Sequence, residues 1–137
     1  MQEEKLLNVE IVTPEKVLFT GKAVSVSVPG SKSPFQILYN HAAIVSSLGL
    51  GIIKIIDGEN RKLFFASSPG FTEVRQNKVS ILVESAQDAA QLNENELNGI
   101  LNAARGKLAG AAKEEAALIK EEIAAAENML KAARKSH

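Results

Sequence analysis

The sequence predicts an α+β fold, in which a strand-rich domain over residues 1–88 is followed by a helical hairpin over residues 89–137. A change of composition marks the boundary. All four prolines, all five phenylalanines and the single tyrosine lie before residue 72, whereas the chain beyond residue 100 is rich in Ala, Lys and Glu. Short apolar segments between turn residues are typical of the first part, and helical periodicity is typical of the second.

The first part contains short runs of β-branched and aromatic residues, which favour strands. Within Ala23–Val28 apolar and polar residues alternate, so we expect the three valines on one face of a sheet and the two serines on the other. Frequent turn signals, without helical crossovers between them, favour an antiparallel sandwich or barrel. The predicted strands are Val9–Val12, Val17–Thr20, Ala23–Val28, Ile52–Ile56, Leu63–Ala66 and Val79–Val83. The turn signals lie at Pro14, Thr20-Gly21, Asp57-Gly58, Pro69-Gly70 and Gln76-Asn77.

The second part predicts two helices. Asn93 is a suitable N-cap, Glu96 three residues later completes a variant of the capping box, and Gly110 closes the first helix. The apolar face of this helix is predicted to consist of Leu97, Ile100, Leu101, Ala104 and Leu108. In the second helix apolar residues recur at alternating spacings of four and three, which indicates packing along one partner helix or a simple amphipathic surface helix. This seam comprises Ala112, Ala116, Ile119, Ile123, Ala126, Leu130 and Ala133.

The hairpin is expected to be marginally stable. Four of the seven seam residues are alanine, so Ile119, Ile123 and Leu130 supply most of the burial, at roughly 1.5–3 kcal/mol each. Gly99 and Gly106 each destabilise the first helix by about 1 kcal/mol relative to alanine. We therefore expect a hairpin that can leave its partner surface.

Composition excludes several classes of function. Sixteen basic residues balance sixteen acidic ones, so no net charge attracts nucleic acid or anionic lipid. The absence of cysteine excludes disulfides, thiolate metal sites and a cysteine nucleophile. The first twelve residues lack the features of a signal peptide, and no apolar segment reaches the roughly 20 residues that span a bilayer. We expect a soluble chain with no nucleic-acid partner and no direct membrane insertion.

No sequence motif for catalysis or cofactor binding is found. His41 is the only internal histidine; the serines near it lack a nucleophile-elbow pattern, and it has no companion ligands for a metal. The Gly49–Lys54 stretch begins like a dinucleotide fingerprint, but Lys54 occupies the position of the third glycine and no helix pattern follows. We predict that the chain has no active site, no cofactor and no metal.

The chain contains, in order, the segments IVTPE, VPG, ILYNHA, LGLGIIKI and SPGFTEVRQNKVSILVESA, followed by the Ala-rich hairpin. This order resembles the epsilon subunit of bacterial-type ATP synthase, which is homologous to the mitochondrial delta subunit. The resemblance is most specific in residues 28–45 and 69–86. It implies a flattened β-sandwich and a two-helix antiparallel hairpin, placed on the central stalk beside the gamma subunit and above the membrane ring. It also implies a position peripheral to the inner membrane, on its cytoplasmic face.

In that family, a loop at the bottom of the sandwich contacts the membrane ring, and His41 falls on the family's histidine. The resemblance therefore implies a contact role for His41, beside the alternative that it caps a turn by hydrogen bonding. The family's acidic residue falls on Pro34, so its charge pairing with the ring is absent here. Phe35 and Ile37 either replace that pairing by apolar contact or are buried in the sandwich. The implied ring-contact residues are Ser31, Pro34, Phe35, Ile37 and His41.

The resemblance also implies regulation by the hairpin. In the family, the hairpin can extend up the stalk and lodge its final helix among the alpha and beta catalytic subunits, where basic residues obstruct ATP hydrolysis. Residues 128–137 contain three cations and no acid, a pattern that the helix macrodipole alone also favours. Two alternatives stay open: a passive stalk adapter, and a stand-alone sandwich enzyme or ligand-binding module. The implied regulatory helix residues are Ile119, Ile123, Leu130, Lys131, Arg134 and Lys135.

Some bacterial relatives bind ATP at the start of the hairpin through an I/L-D-x-x-R-A pattern, which corresponds to residues 92–97 here. Only Leu92 matches this pattern. Glu96 occupies the position of the arginine that meets the phosphates, and a carboxylate repels a polyanion. Tight ATP binding is therefore not expected.

Millimolar ATP is expected to leave the melting temperature of the isolated chain nearly unchanged. A ligand present at about a hundredfold its Kd raises the free energy of unfolding by about 2.7 kcal/mol, and this gain should be missing. Thermal denaturation with ATP, compared with sulfate at equal ionic strength, measures the effect. A rise in melting temperature that only ATP produces would contradict our interpretation of Glu96.

Overall fold

The computed structural model describes residues 5–137 of the chain. Within these residues nine strands precede two helices, as the change of composition predicts. The strands are β1 (Leu7–Val12), β2 (Val17–Val28), β3 (Phe35–Leu38), β4 (Ile44–Leu48), β5 (Gly51–Asp57), β6 (Lys62–Ser67), β7 (Gly70–Arg75), β8 (Lys78–Val83) and β9 (Ala86–Asp88). After a 3₁₀ turn at Ala89–Gln91 come α1 (Glu94–Ala109) and α2 (Lys113–Ser136).

The nine strands belong to one hydrogen-bonded sheet. Its order is β4-β7-β8-β1-β2-β5-β6-β9, with β3 paired to β2 outside this path. Neighbouring strands run antiparallel except β1 and β8, which pair in parallel. Because β1 and β8 are far apart in the chain, their pairing needs no helical crossover. The mostly antiparallel sheet that the turn spacing predicts is confirmed.

Strand β2 is twelve residues long and belongs to both halves of the sheet. Its first half pairs with β1, and its second half pairs with β3 and β5. The turn predicted at Thr20-Gly21 is wrong, because both residues pair with β1 inside the ladder. Here the hydrogen bonds of the sheet override the local turn signal of the glycine.

A bulge in β2 changes which side chains face the core. The register with β5 skips one residue between Ala23 and Ser25, so Val24 is an extra residue on the bulged strand. As a result Ser25 is buried and Val24 is exposed. The prediction that three valines share one face is wrong for Val24 and correct for Val26 and Val28, which lie in the core.

The core is one cluster to which both halves of the sheet contribute. Side chains from strands that are distant in the strand order, such as β7 and β5, meet in this cluster, so the sheet folds over on itself as a sandwich. Its buried members are Leu7, Val9, Ile11, Ala23, Val26, Val28, Ile37, Leu48, Ile53, Ile55, Phe65, Val74, Val79, Ile81 and Val83. Each large aliphatic residue among them stabilises the fold by roughly 1.5–3 kcal/mol.

The turn between β5 and β6 is organised by Asp57. Its Oδ1 accepts hydrogen bonds from the backbone N–H groups of Glu59 and Arg61, both at 2.9 Å. Its Oδ2 lies 2.8 Å from Nε of Arg61. The Arg61 N–H, the Glu59 N–H and the Arg61 side chain hold the pKa of Asp57 below its usual value, although burial alone would raise it. The predicted turn at Asp57-Gly58 is confirmed.

The ends of α1 lie where the sequence places them. The Oδ1 atom of Asn93 accepts a hydrogen bond from the Glu96 N–H at 3.0 Å, which caps the helix. Gly110 follows the last residue of α1. The Gly110 N–H donates back toward the carbonyls of Lys107 and Leu108, so the helix closes before the connection to α2 begins.

The seam of α2 packs on α1, and the predicted hairpin is confirmed. Two members of the predicted apolar faces are exposed. Ile100 is 55% exposed, because Leu101 and Ala104 form the packed face beside it. Ala112 is exposed as the N-cap residue of α2. The buried members of this cluster are Leu97, Leu101, Ala126, Leu130 and Ala133.

A second face of α2 packs on the sheet, which the seam pattern did not predict. Ala132 is buried in one cluster with Ala66 of β6 and Ala89 of the 3₁₀ turn. Close by, Nδ2 of Asn128 donates a hydrogen bond to the carbonyl oxygen of Gly51 at 2.8 Å. Helix α2 therefore lies between α1 and the strand-rich part.

The predicted division into two domains at residue 88 can be tested by truncation. A chain that ends after Asp88 should fold, because the core cluster lies entirely within the strands and α2 covers only the outside of the sheet. We expect a cooperative thermal transition and the circular dichroism spectrum of a β-sheet, with a lower melting temperature than that of the full chain. A truncated chain without a sheet spectrum would contradict the boundary.

Candidate functional site

Three exposed regions carry the candidate functional residues: the loop around Ser31, one face of the sheet and the end of α2. The Ser31 loop is fixed at its base, where the Ser31 N–H donates to the carbonyl of Ser47 at 2.9 Å. The Gly49 N–H likewise donates to the carbonyl of Pro29 at 2.8 Å. A Cβ atom on Gly30 would collide with the carbonyl oxygen of Ser33, so this tight loop requires glycine.

The predicted ring-contact residues separate into exposed and buried ones. Ser31 and Pro34 are exposed, and Phe35 is half-buried against the core. Ile37 has no exposed surface and lies inside the core. The contact role predicted for Ile37 does not fit this position, and the alternative of burial in the sandwich holds for it. The other residues stay predicted contacts.

His41 is half-buried in the turn that follows β3. Its backbone N–H donates a hydrogen bond to the carbonyl oxygen of Leu38 at 3.0 Å. Its Nδ1 lies 2.7 Å from the carbonyl oxygen of Ala42, an atom that can only accept a hydrogen bond. Its ring stands beside Phe35, with 6.4 Å between the ring centroids. These hydrogen bonds cap the turn, as one of the two interpretations expects. Part of the His41 ring is still exposed, so contact with a partner stays a prediction.

A pair of asparagines ties this turn to the turn between β7 and β8. The Asn40 N–H donates to Oδ1 of Asn77 at 2.6 Å, and Nδ2 of Asn77 donates to Oδ1 of Asn40 at 3.1 Å. Both residues have a left-handed backbone, with φ of 64° and 63°, which asparagine tolerates better than most residues. We call this contact the asparagine clasp. It joins two turns that are 37 residues apart in the chain.

Sequence reasoning missed an exposed row of apolar side chains on the sheet. The row runs across four neighbouring strands, because Phe71 of β7 pairs with Leu82 of β8, Leu82 with Val12 of β1, and Val12 with Val17 of β2. Phe71 is 57% exposed, Val17 55% and Leu82 48%. On the edge strand β4, Val45 is also exposed, one row away. Val12, which lies between Leu82 and Val17, is half-buried. We call Val12, Val17, Phe71 and Leu82 the apolar row.

The apolar row was hidden because a sequence does not show which strands are neighbours. Val12, Val17 and Leu82 lay in predicted strands, but β7, which contributes Phe71, was not predicted at all. The signal that reveals the row is the burial pattern of β7 and β8, in which exposed and buried residues alternate and large apolar residues occupy exposed positions. Such residues mark an interaction surface when they are contiguous.

The predicted regulatory residues lie along α2. Leu130 is buried and Ile123 half-buried against α1, while Ile119 is half-buried nearer the connection between the helices. The three cations at the end of the helix are exposed and so can contact another molecule: Lys131, Arg134 and Lys135. They line one side of a groove between the helices.

Two exposed ion pairs cross between the helices. Nε of Arg134 lies 3.4 Å from Oε1 of Glu94, and Nη2 of Arg105 lies 3.1 Å from Oε2 of Glu127. Pairs of this kind each stabilise a protein by about 0–1 kcal/mol, because water screens them. Arg134 is therefore paired with Glu94 while the two helices are in contact, and separating the helices would leave the Arg134 charge without this partner.

Within residues 5–137, no helix is both long and apolar enough to cross a membrane. In the same part of the chain, no three histidine, aspartate or glutamate side chains are grouped so that they would hold a metal ion. The surfaces described above instead present backbone turns, apolar side chains and cations. They define a sandwich-and-hairpin subunit suited to contact with other proteins.

Comparison with known proteins identifies the family. Residues 6–89 match the family model described as "ATP synthase, Delta/Epsilon chain, beta-sandwich domain". The chain is 34% identical over 113 residues to the ATP synthase epsilon chain of Campylobacter jejuni, a match that covers 82% of this chain and 88% of the relative. The chain belongs to the ATP synthase delta/epsilon family. The resemblance seen in the sequence is confirmed, and the alternative of a stand-alone sandwich enzyme is not supported.

Other relatives are similar over a shorter length. The ATP synthase epsilon chain of Leptospira borgpetersenii serovar Hardjo-bovis is 46% identical over 78 residues, 57% of this chain and 61% of that relative. The match therefore spans about three fifths of the length of the Leptospira relatives. A chain in the structure of Euglena gracilis mitochondrial ATP synthase has the same fold, with a TM-score of 0.81 and 16% identity over 93% of this chain and 81% of that chain.

Proposed function

We propose that this chain is a non-catalytic subunit of the central stalk of a rotary ATP synthase, where it couples a gamma subunit to the membrane ring. The observation that carries the proposal is the apolar row, an exposed apolar surface on the sandwich of a chain from the delta/epsilon family. A chain of similar fold occurs in the structure of the central stalk and c-ring of Tetrahymena thermophila mitochondrial ATP synthase, with a TM-score of 0.59 and 17% identity over 95% of each chain. The position we propose for the subunit is peripheral to the inner membrane, on its cytoplasmic face, as part of the complex.

The apolar row is the proposed docking surface for the gamma subunit. Its side chains stand on paired strands, so little conformational entropy is lost when a partner covers them. Phe71 and Leu82 are directly paired neighbours in the row and are about half exposed, which leaves much apolar surface to bury. A few large side chains that a partner buries completely can dominate the binding free energy.

The Ser31 loop is the proposed contact with the membrane ring. Ser31 and Pro34 present small neutral side chains, and Lys32 is the one charged residue between them. The rings of Phe35 and His41, which follow the loop in the chain, lie beside each other. The contact would therefore depend on shape and hydrogen bonding, without the acidic residue of many relatives.

The hairpin is proposed to inhibit ATP hydrolysis. When it leaves the sheet, the exposed cations at the end of α2 can meet an acidic segment of the alpha and beta catalytic subunits. Lys131, Arg134 and Lys135 supply the positive charge, and Ile119, Ile123 and Leu130 supply apolar contacts. The alternative is a passive adapter in which the hairpin stays on the sheet, and the two differ only in whether the hairpin moves.

Replacing Phe71 and Leu82 together with serine should weaken binding to the gamma subunit at least about tenfold, since both are large apolar side chains that the gamma subunit would bury. The melting temperature should change little, because both side chains are exposed. The control replaces Ile100 and Leu118 with serine; these are 55% and 67% exposed on the helices. Titration calorimetry with the gamma subunit measures the affinities. Equal affinity of the two double variants would contradict docking at the apolar row.

Replacing Lys131, Arg134 and Lys135 together with alanine should raise the rate of ATP hydrolysis by the assembled complex and leave assembly intact. Deletion of all residues after Gln91 should raise it at least as much. The matched control is Lys113→Ala with Lys120→Ala, two exposed cations nearer the start of the same helix. Unchanged hydrolysis in both the triple variant and the deletion would favour the passive adapter.

A further inference from the structure

The sheet face that carries the apolar row continues into two further rows of side chains. The middle row is polar and acidic, and it crosses β7, β8, β1 and β2 as Glu73, Ser80, Glu10 and Thr20. The last row crosses the same four strands as Arg75, Lys78, Asn8 and Lys22. Four residues along a strand span about 13 Å, so this last row lies about 13 Å from the apolar row. We call Lys22, Arg75 and Lys78 the basic row.

Little within the chain neutralises the basic row. Nζ of Lys78 lies 3.9 Å from Oε2 of Glu10, which is the limit of an ion pair. Arg75 and Lys22 are exposed and take part in none of the ion pairs among residues 5–137. The turn that follows β5 lies beside Lys22, but its two carboxylates both pair with an arginine of the same turn. Two of the three cations are therefore available to a partner.

The position of these cations costs stability. Arg75 and Lys78 lie directly opposite each other at the end of the β7–β8 hairpin, and like charges in paired positions destabilise a sheet. Strands β7, β8 and β1 are interior in the strand order, so cations are not needed there to keep a free edge from pairing with another chain. Local features that cost stability without a local benefit are expected at functional sites. The basic row therefore indicates a binding surface.

A groove opens between the two lysines of the basic row. Its volume is about 290 Å³, and Lys22, Lys78 and Asn8 line it together with Glu10. Oε2 of Glu10 already accepts a hydrogen bond from Oγ of Ser80 at 2.9 Å, so this carboxylate is held on the sheet. The groove is at the lower limit of the roughly 300–1,000 Å³ of sites that enclose a small molecule. It suits a single acidic side chain of a protein partner.

We propose that the gamma subunit places an acidic side chain on the basic row, and that this contact fixes the direction in which the gamma subunit lies across the strands. The inference rests on the proposed docking at the apolar row, because the two rows share one continuous face. It adds the chemistry of the partner surface. That surface carries an apolar patch and, about 13 Å away, a carboxylate.

The two rows have different tasks in this arrangement. Burial of apolar surface is not directional, so the apolar row by itself does not fix the orientation of its partner. Charged contacts fix the register of an interface and speed association. A gamma subunit turned end for end on this face would leave its carboxylate without a partner and the basic row unpaired. The apolar row thus supplies affinity, and the basic row supplies orientation.

Reversing two charges of the basic row tests the inference. The full chain with Arg75→Glu and Lys22→Glu should bind the gamma subunit with an association rate constant about tenfold lower at low salt. The difference should shrink at roughly 0.5 M salt, because dissolved ions screen exposed charges. Stopped-flow mixing with the isolated gamma subunit measures the rates. The matched control is Lys62→Glu with Lys107→Glu, which changes the net charge equally at two exposed cations outside this face.

Two further measurements separate a lost contact from a damaged fold. The neutral variant, Arg75→Gln with Lys22→Gln, should associate at a rate between those of the wild-type chain and the reversed variant. Arg75→Glu alone should leave the melting temperature equal or higher, because it replaces a pair of like charges with Lys78 by a pair of opposite ones. A variant that is at least as stable but associates more slowly has lost a partner contact.

Carbodiimide coupling identifies the chemistry of the partner directly. The reagent joins an amine to a touching carboxylate as an amide, with loss of water. In the complex of the unaltered chain with the gamma subunit, we expect an amide between Lys22 or Lys78 and an aspartate or glutamate of the gamma subunit, detected by mass spectrometry. Amides to the gamma subunit from lysines of other faces alone would contradict the inference.

The outcomes distinguish this inference from the proposed docking. Equal association rates of the reversed variant and its control would overturn the role of the basic row. If the Phe71 and Leu82 double variant still binds weakly in that case, docking at the apolar row stands. If the Phe71 and Leu82 variant binds normally while the reversed variant does not, the docking proposal fails and the basic row remains a contact.

Discussion

The shared pairing of β2 is the constraint on which the rest of this structure depends. One half of the strand completes the layer formed with β1, β8, β7 and β4, and the other half completes the layer formed with β3, β5, β6 and β9. The bulge at Val24 lies where the strand passes from one set of partners to the other. A bulge increases local twist and bends the strand, which is what folding one sheet into two facing layers requires. The core, the apolar row and the support for α2 follow from this fold.

Much of the fold was predictable because its signals are local. Helix caps, the seam of α2 and the runs of β-branched residues depend on residues that are close in the chain. Strands β3, β4 and β9 were missed because they are short, and β7 because polar and charged residues interrupt its apolar ones. Strand β4, for example, contains Ser46 and Ser47 and pairs only with β7 among the strands. The exposure of Val24 was not predictable either, since a bulge is defined by the register with a partner strand.

The candidate sites divide in the same way. The basic end of α2 and the Ser31 loop were found because each is one continuous segment of sequence. The apolar row and the sheet-facing side of α2 are assembled from separate segments, and they were missed. For α2 the difficulty was also one of composition, because alanine occurs on every side of the helix. Ala132 and Ala133 are adjacent and equally buried, yet they belong to different interfaces.

The asparagine clasp has a mechanical consequence. In the proposed position between the gamma subunit and the ring, the chain would have to transmit torque without yielding, so the stiffness of the path between these partners would matter as well as its affinity for them. The clasp fastens the His41 turn to the end of the β7–β8 hairpin, and that hairpin carries Phe71 and Leu82. A load applied near the Ser31 loop can thereby reach the apolar row through hydrogen bonds between paired strands, with no flexible linker in series. Such a path would twist as one elastic body and would store little of the rotational energy that passes through it.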